Sequence, residues 1–262
     1  MNEIFKLNDY KNIHDLVDKI KQLFLNNYEF IIIRNNSNLI EECEIINYYN
    51  KLNNLLGEVK LVDKNKYSDE DQSDYWVNVE YKFNSEKNNL KNSVQPWKSN
   101  EELMLHTDNT LSNNLNFANI TELVCIQPSD YSGETVIISN NKIIELVKYL
   151  DLQNNTNLYD NLLTTKIYHK SVKKNICIKE NNNYTFNFNI TQILKSEFNK
   201  DPELDVANNF SKVLSNIMNS SLTVSIKLEK GDALLFNDTL VIHGRKYVFG
   251  ERLYKKCSIL VF

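Results

Sequence analysis

Between residues 13 and 24 the apolar positions are Ile13, Leu16, Val17, Ile20, Leu23 and Phe24. That spacing lines one face of a helix, so the segment is expected to be an amphipathic helix. The next apolar run, Phe30–Arg34 (FIIIR), has no period. A run this short and this β-branched predicts a buried strand. Helical spacing returns over 41–56 and stops at Gly57, a suitable residue just past a helix end. Residues 63–99 are polar and irregular, with aromatics at Tyr67, Tyr75, Trp76, Tyr81, Phe83 and Trp97. Segments of that kind are usually lids, binding loops or connections.

Short β-like runs then dominate: 121–126, 134–139, an alternating stretch over 184–190, and 222–228. KGDALLF and DTLVIHGR read as a turn and two strands, and Cys257–Phe262 as a last strand. Helical spacing interrupts them at 143–150 and at about 205–218. Many short strands, with helices gathered toward the N-terminus, predict an α+β fold. Its core would be a small β-barrel or jelly roll braced by N-terminal helices. No repeat, Gly/Ser linker or composition break divides residues 1–262, so one domain is expected, with a lid or substrate loop around 63–102.

Composition changes this picture little. The chain is 42% hydrophobic and 24% charged with a net charge of −4, which is ordinary for a globular protein. No Lys/Arg block gives electrostatic support to a nucleic-acid or acidic-membrane partner. Cys43, Cys125, Cys177 and Cys257 are far apart, and most have apolar neighbours, which suits free thiols in a reducing compartment. The N-terminus lacks a signal-peptide core and no apolar run approaches membrane-spanning length. A soluble cytoplasmic protein is expected; its oligomeric state leaves no trace in the sequence.

Candidate chemistry enters with His106 and Asp108, two residues apart in LMLHTDNTL. On an extended segment both side chains share a face and could grip one metal. A third ligand would have to come from a distant strand, and His243, at the end of the run LLFNDTLVIH, is the candidate. Two histidines and a carboxylate are the facial triad of non-haem Fe(II) oxygenases. On spacing alone the blander reading stands ahead: a loop histidine and a hydrogen-bonded core histidine. Arg252, nine residues past His243 with Gly250 between, reverses that order. A hairpin return would aim its guanidinium beside the metal, where it could clamp a carboxylate through two hydrogen bonds. The far end of 2-oxoglutarate is such a carboxylate. Thr135, after the turn-like YSGE, could add a hydroxyl donor. An exposed arginine paired with Glu251 remains the alternative.

These motifs carry a family resemblance. The stretch HTDNTLSNNLNFANITELVCIQPSDYSGETVIIS resembles the metal-binding region of the clavaminate synthase-like branch of the TauD family. GDALLFNDTLVIHGRKYVFGERLYKKCSILVF resembles that branch's ending, and YEFIIIRN followed by LNNLLGEV its opening strand and first helix. The resemblance implies a double-stranded β-helix (cupin-like jelly roll). It implies Fe(II) held by His106, Asp108 and His243, with 2-oxoglutarate and O₂ as co-substrates, and it makes Arg252 the 2-oxoglutarate clamp with Thr135 as helper. Lys256, four residues beyond Arg252, stands where relatives often have a second arginine for the substrate's acidic group. It keeps the charge and loses the planar fork.

Arg245 in HGR matches a common family residue and reads as an ion pair holding a loop. Asn109 reads equally as a donor behind the metal ligands or as a turn residue. Related halogenases have a small residue in place of Asp108, so a carboxylate there argues for hydroxylation. The implied reaction is hydroxylation of an unactivated C–H bond in a free amino acid or similar small carboxylate, with a basic amino acid such as arginine or lysine among the candidates. Gln95 and Glu101 are candidate substrate contacts, with Tyr75, Trp76, Glu80, Trp97 and Glu102 as further lid residues. Three alternatives stay open: a carrier- or peptide-bound amino acid, desaturation or cyclisation, and a non-catalytic barrel that binds a small acid.

Overall fold

The computed structural model describes residues 2–36, 38–61, 75–82, 98–108 and 118–261. Gln95, Trp97, Asn109 and most of the expected lid lie outside the described residues.

The predicted first helix is α1 (Ile13–Leu25), opened by the Asn12 side chain, which accepts from Asp15 N. A side-chain acceptor there satisfies one of the amides that a helix start leaves unpaired. The second is α2 (Glu42–Leu56), whose first turn is closed by a capping box between Glu41 and Glu44. FIIIR is strand β2 (Phe30–Arg34), paired in parallel with β1 (Asn2–Lys6). The other strands of that sheet are β3 (Glu58–Val59), β4 (Val77–Tyr81), β6 (Ile120–Gln127), β9 (Ala233–Asn237) and β11 (Arg252–Leu260). Their order is β1-β2-β9-β6-β11-β3, and β4 also pairs with β11. A second sheet holds β5 (Leu103–His106), β7 (Thr135–Ser139), β8 (Val224–Ile226) and β10 (Val241–Arg245), in the order β8-β7-β10-β5.

Strand alternation sorts the core into layers. Phe30, Ile32, Leu123, Cys125, Leu234, Phe236 and Tyr254 of the first sheet form one buried cluster with Ile137, Ile226 and Val241 of the second. The two sheets therefore pack face to face. On the outer side of the first sheet, Ile31, Ile33, Val124 and Ile259 pack against Leu16, Ile20, Tyr49 and Leu52 of α1 and α2. Each side chain so buried contributes about 1.5–3 kcal/mol relative to exposure. The outer side of the second sheet is covered by α3 (Asn140–Asn154), α4 (Leu158–Thr164), α5 (Ile190–Leu194) and α6 (Asp201–Ile217).

Two expectations need correction. The helices do not gather toward the N-terminus: four lie in the C-terminal half, where the second sheet needs the same cover that α1 and α2 give the first. The irregular segment also contains a strand, β4, whose Val77 and Val79 face inward while Asn78 and Glu80 alternate with them. Trp76 is no lid residue. It is buried in the α1/α2 layer, and its Nε1 donates to Asn50 Oδ1 at 2.7 Å. Three cysteines are buried, Cys43 is exposed, and all four are free. Among the described residues no helix is long and apolar enough to cross a membrane.

One buried acid sits in the helical layer. Glu122 on β6 is fully buried and accepts from Asn53 Nδ2 of α2 at 2.5 Å. Burial pushes its pKa up to about 8, against the weaker opposing pull of Asn53. Glu122 Oε1 and Asn53 Oδ1 are both buried acceptors without a hydrogen-bond partner among the described residues, and a proton on the carboxyl supplies a donor there. The folded protein thus holds this proton where the unfolded chain, near 4.5, has released it. Stability is then expected to fall as pH rises from about 4.5 to 8 by up to ~1.4 kcal/mol per pH unit, and to level off above that. Glu122→Gln, which mimics the protonated acid, should flatten this slope in melts compared across that window. Parallel slopes for the two proteins would show Glu122 already ionised.

Candidate metal centre

Strands β5 and β10 are antiparallel, and their register sets His106 opposite His243. The ring centroids are 4.5 Å apart. Gly244 permits this approach: a Cβ there would stand 2.6 Å from the carbonyl oxygen of Leu103, inside contact distance. The register shifts between His243 and Arg245.

Asp108 is not on the strand itself, which ends at His106. Its orientation depends on the residue between. Thr107 is buried, its N–H donates to Phe188 O at 2.8 Å, and its Oγ1 accepts from Phe188 N at 3.0 Å. Thr107 is thus latched to Phe188 in the layer that covers the second sheet, and Asp108 turns to the opposite side, back toward the histidines. Asp108 Oδ1 lies 3.8 Å from His106 Nε2, and its Oδ2 lies 3.6 Å from His243 Nε2. One ligand atom from each of the three residues falls within 4.8 Å of the others.

Both rings present Nε2. His106 Nδ1 lies 2.7 Å from the carbonyl oxygen of Met104. A carbonyl only accepts, so Nδ1 carries the proton and Nε2 keeps its lone pair. His243 turns Nδ1 toward Asp238 Oδ1 at 3.6 Å. Burial lowers the pKa of His106 and takes that of His243 down to about 3, so both imidazoles are neutral near pH 7. Burial alone would raise Asp108, but Lys256 and the two histidines outweigh it and hold the carboxyl well below its usual range. Two neutral imidazoles and an ionised carboxylate are the protonation states a divalent metal requires. The donor set fits Fe(II) and would leave positions open for other ligands.

Cationic side chains also stand close to the cluster. Lys256 on β11 donates from Nζ to Asp108 Oδ2 at 2.5 Å, so the expected substrate contact stands against the carboxylate of the candidate metal cluster. Arg252 and Tyr254, on the same face of β11, point between the sheets. The Arg252 guanidinium carbon lies 3.6 Å from the centroid of the Tyr254 ring, and its Nε has no hydrogen-bond partner among the described residues. Thr135 is buried directly across from Arg245. Arg245 Nη2 donates to the carbonyl oxygens of Ser99 and Glu101, 2.7 Å each, and so ties down the chain leading into β5. Burial and the nearby Arg252 lower its pKa to about 9. Glu101 takes part through that carbonyl, while its side chain is exposed. Glu80 lies in the β4 register against Leu253, on the face away from Arg252, and pairs with Lys82.

Asp238 was not singled out from the sequence. A surface cleft of about 900 Å³, lined by residues of α4 and α6 such as Asn161 and Asp205, lies on the far side of the second sheet. It shares no residue with the histidine–carboxylate cluster.

The sequence matches the profile of the taurine catabolism dioxygenase TauD, TfdA family over residues 2–257. No curated protein sequence matches the chain. Among solved structures, a taurine dioxygenase from Burkholderia xenovorans superposes with a TM-score of 0.59 at 12% identity, covering 95% of this chain and 82% of that one. The non-haem iron oxygenase OrfP, in complex with Fe and alpha-ketoglutaric acid, gives a TM-score of 0.60 at 12% identity, over 96% and 80% of the two chains. The asparagine oxygenase AsnO gives 0.63 at 10% identity, over 95% and 78%.

Proposed function

The chain belongs to the taurine catabolism dioxygenase TauD, TfdA family, and from that premise we propose that it hydroxylates an unactivated C–H bond of a free amino acid or similar small carboxylate. It is an Fe(II)- and 2-oxoglutarate-dependent dioxygenase by family. The convergence of His106, Asp108 and His243 on one point carries the reading. The two sheets packed face to face would be the double-stranded β-helix of a single oxygenase domain, with the centre between them.

In this assignment His106 and His243 bind the metal through Nε2, and Asp108 through its carboxylate. Bound there with 2-oxoglutarate and O₂, Fe(II) would supply the oxidising power to attack a C–H bond. The protein binds, orients and shields. Arg252, buried and stacked on Tyr254, clamps the distal carboxylate of 2-oxoglutarate, with Thr135 beside Arg245 as an additional donor. A buried guanidinium needs an anion to offset its lost hydration, and a carboxylate matches its fork. Lys256 supplies a positive charge for the acidic group of the substrate, close enough to the centre to place the adjoining carbons against it. Tyr254 and the apolar cluster around it keep that space dry. A carboxylate at position 108 favours hydroxylation over halogenation, because it fills the position a halide would need.

An amino acid is the preferred substrate class, since OrfP is described with (3S)-hydroxy-L-Arg and the asparagine oxygenase with 3-hydroxyasparagine. The test is to supply Fe(II), 2-oxoglutarate and air with each common L-amino acid, basic ones first. Product mass and succinate are then measured together. One amino acid should gain a single oxygen in step with succinate. Succinate release without any oxidised amino acid, but with an oxidised carrier-bound or peptidyl residue, would move the substrate to the tethered class.

A further inference from the structure

We propose that Asp238 is a positioning residue of the metal centre, with one carboxylate oxygen orienting His243 and the other holding the backbone of Asp108. The inference rests on the reading of His106, Asp108 and His243 as metal ligands. Asp238 is buried at 4% exposure in the turn between β9 and β10, five residues ahead of His243. Its Oδ1 faces His243 Nδ1 at 3.6 Å, and its Oδ2 accepts from the backbone N–H of Asp108 at 3.3 Å. One side chain thereby touches two of the three ligand residues, which come from segments 135 positions apart in sequence.

The carboxylate is held in place before any metal arrives. Asp238 N–H donates to Asn119 O at 2.9 Å. Asn119 in turn is bonded to Val261 in both directions, through Nδ2 at 3.1 Å and Oδ1 at 2.9 Å. On the other side the Asn237 side chain accepts from Thr239 N at 3.0 Å and from Thr239 Oγ1 at 2.6 Å. The turn is braced from both flanks, so Asp238 has little freedom to withdraw.

The consequence for His243 is chemical. A neutral imidazole has one N–H, and His243 Nδ1 has no hydrogen-bond partner elsewhere among the described residues. At 3.6 Å the contact with Asp238 falls short of a hydrogen bond, and a small ring rotation closes it. The proton then sits on Nδ1, and the Nε2 lone pair is directed at the metal position. Phe236, its centroid 4.6 Å from the His243 ring, limits rotation the other way. The two histidines are thus held differently. His106 is fixed by a neutral carbonyl and His243 by an anion, a partner that strengthens the Nε2 lone pair as a donor.

The test uses the full chain freed of metal, as wild type, Asp238→Asn and Asp238→Ala, titrated with Mn(II) and followed by the EPR signal of the free ion. Asparagine retains an oxygen for the Asp108 N–H but loses the charge. Both variants are expected to bind Mn(II) about 10–100-fold more weakly than wild type, alanine the more so. In parallel, ¹⁵N NMR of the imidazoles should show His243 as the Nδ1–H tautomer in wild type and as a tautomer mixture in Asp238→Asn. A structural role alone would leave that tautomer unchanged. Mn(II) affinities within twofold of wild type in both variants, or an Nε2–H tautomer in wild type, would overturn the proposal. Failure of wild type to bind Mn(II) would be a separate result, removing the metal-centre reading and this inference with it.

Discussion

Replacing Asp108 by alanine is expected to weaken Fe(II) binding by at least about 100-fold, a loss of ~2.7 kcal/mol, and to abolish hydroxylation. Asp108 is the only anionic member of the ligand cluster, and Lys256 stands 2.5 Å from its carboxylate. Without that carboxylate the approaching dication would meet two neutral imidazoles beside the Lys256 ammonium. Titration with Fe(II) under argon, with succinate release as a second readout, measures both effects. Near-wild-type affinity in Asp108→Ala would mean that the metal is held elsewhere. The fold should survive, because Thr107, and not Asp108, anchors this segment to Phe188.

The second large effect is expected at Arg252, and it separates binding from stability. Arg252 is buried at 3% exposure, and its Nε lacks a hydrogen-bond partner among the described residues. Such a cation costs free energy in the ligand-free protein and recovers it when a carboxylate arrives. Arg252→Met keeps much of the volume beside Tyr254 and removes the charge. The melting temperature of the ligand-free variant should hold or rise, since an apolar residue of similar size replaces a buried charge. The Kd for 2-oxoglutarate should rise by about 30-fold or more, in line with the 2–5 kcal/mol seen when one member of a buried charge pair is lost. Metal affinity should stay within a fewfold. Isothermal titration with 2-oxoglutarate and with Mn(II) reads the two separately. Loss of Mn(II) binding with unchanged 2-oxoglutarate affinity would remove Arg252 from the clamp.

Elements whose own pattern decided their structure were legible in the sequence. The isoleucines of β2 and the 3.6-residue spacing of α1 state their burial without outside help, and the structure places both where the pattern does. The strand β4 was hidden because its alternation, VNVEY, is short and sits among polar residues. It takes shape through its pairing with β11, a partner far away in the sequence. The helices over the second sheet were seen in part, as fragments of α3 and α6; the strands Lys166–His169 and Cys177–Glu180 near them gave too little pattern to read, while the alternation over 184–190 overlaps a strand at Asn183–Phe186.

At the centre, the spacing of His106 and Asp108 suggested a shared face of one strand. The structure reaches the same convergence differently, with the strand ending at His106 and Thr107 turning Asp108 inward. His243 and Arg252 followed from motif and spacing. Asp238 was missed because its role depends on a turn returning beside Asp108, a contact across 130 positions that no local pattern encodes. The proximity of Lys256 to Asp108 is of the same kind. A partial signal for Asp238 did exist: a carboxylate in FNDTL between two strongly apolar runs must be buried, and a buried carboxylate needs a partner.

The most direct test is optical. Metal-free protein is mixed anaerobically with Fe(II) and 2-oxoglutarate. A keto acid chelated to Fe(II) on this triad should give a visible charge-transfer band, absent with either component alone and lost in Asp108→Ala. Addition of the true substrate should shift it. An intact, Fe(II)-loaded protein that binds 2-oxoglutarate without developing the band would contradict the assignment of His106, Asp108 and His243 as the oxygenase centre.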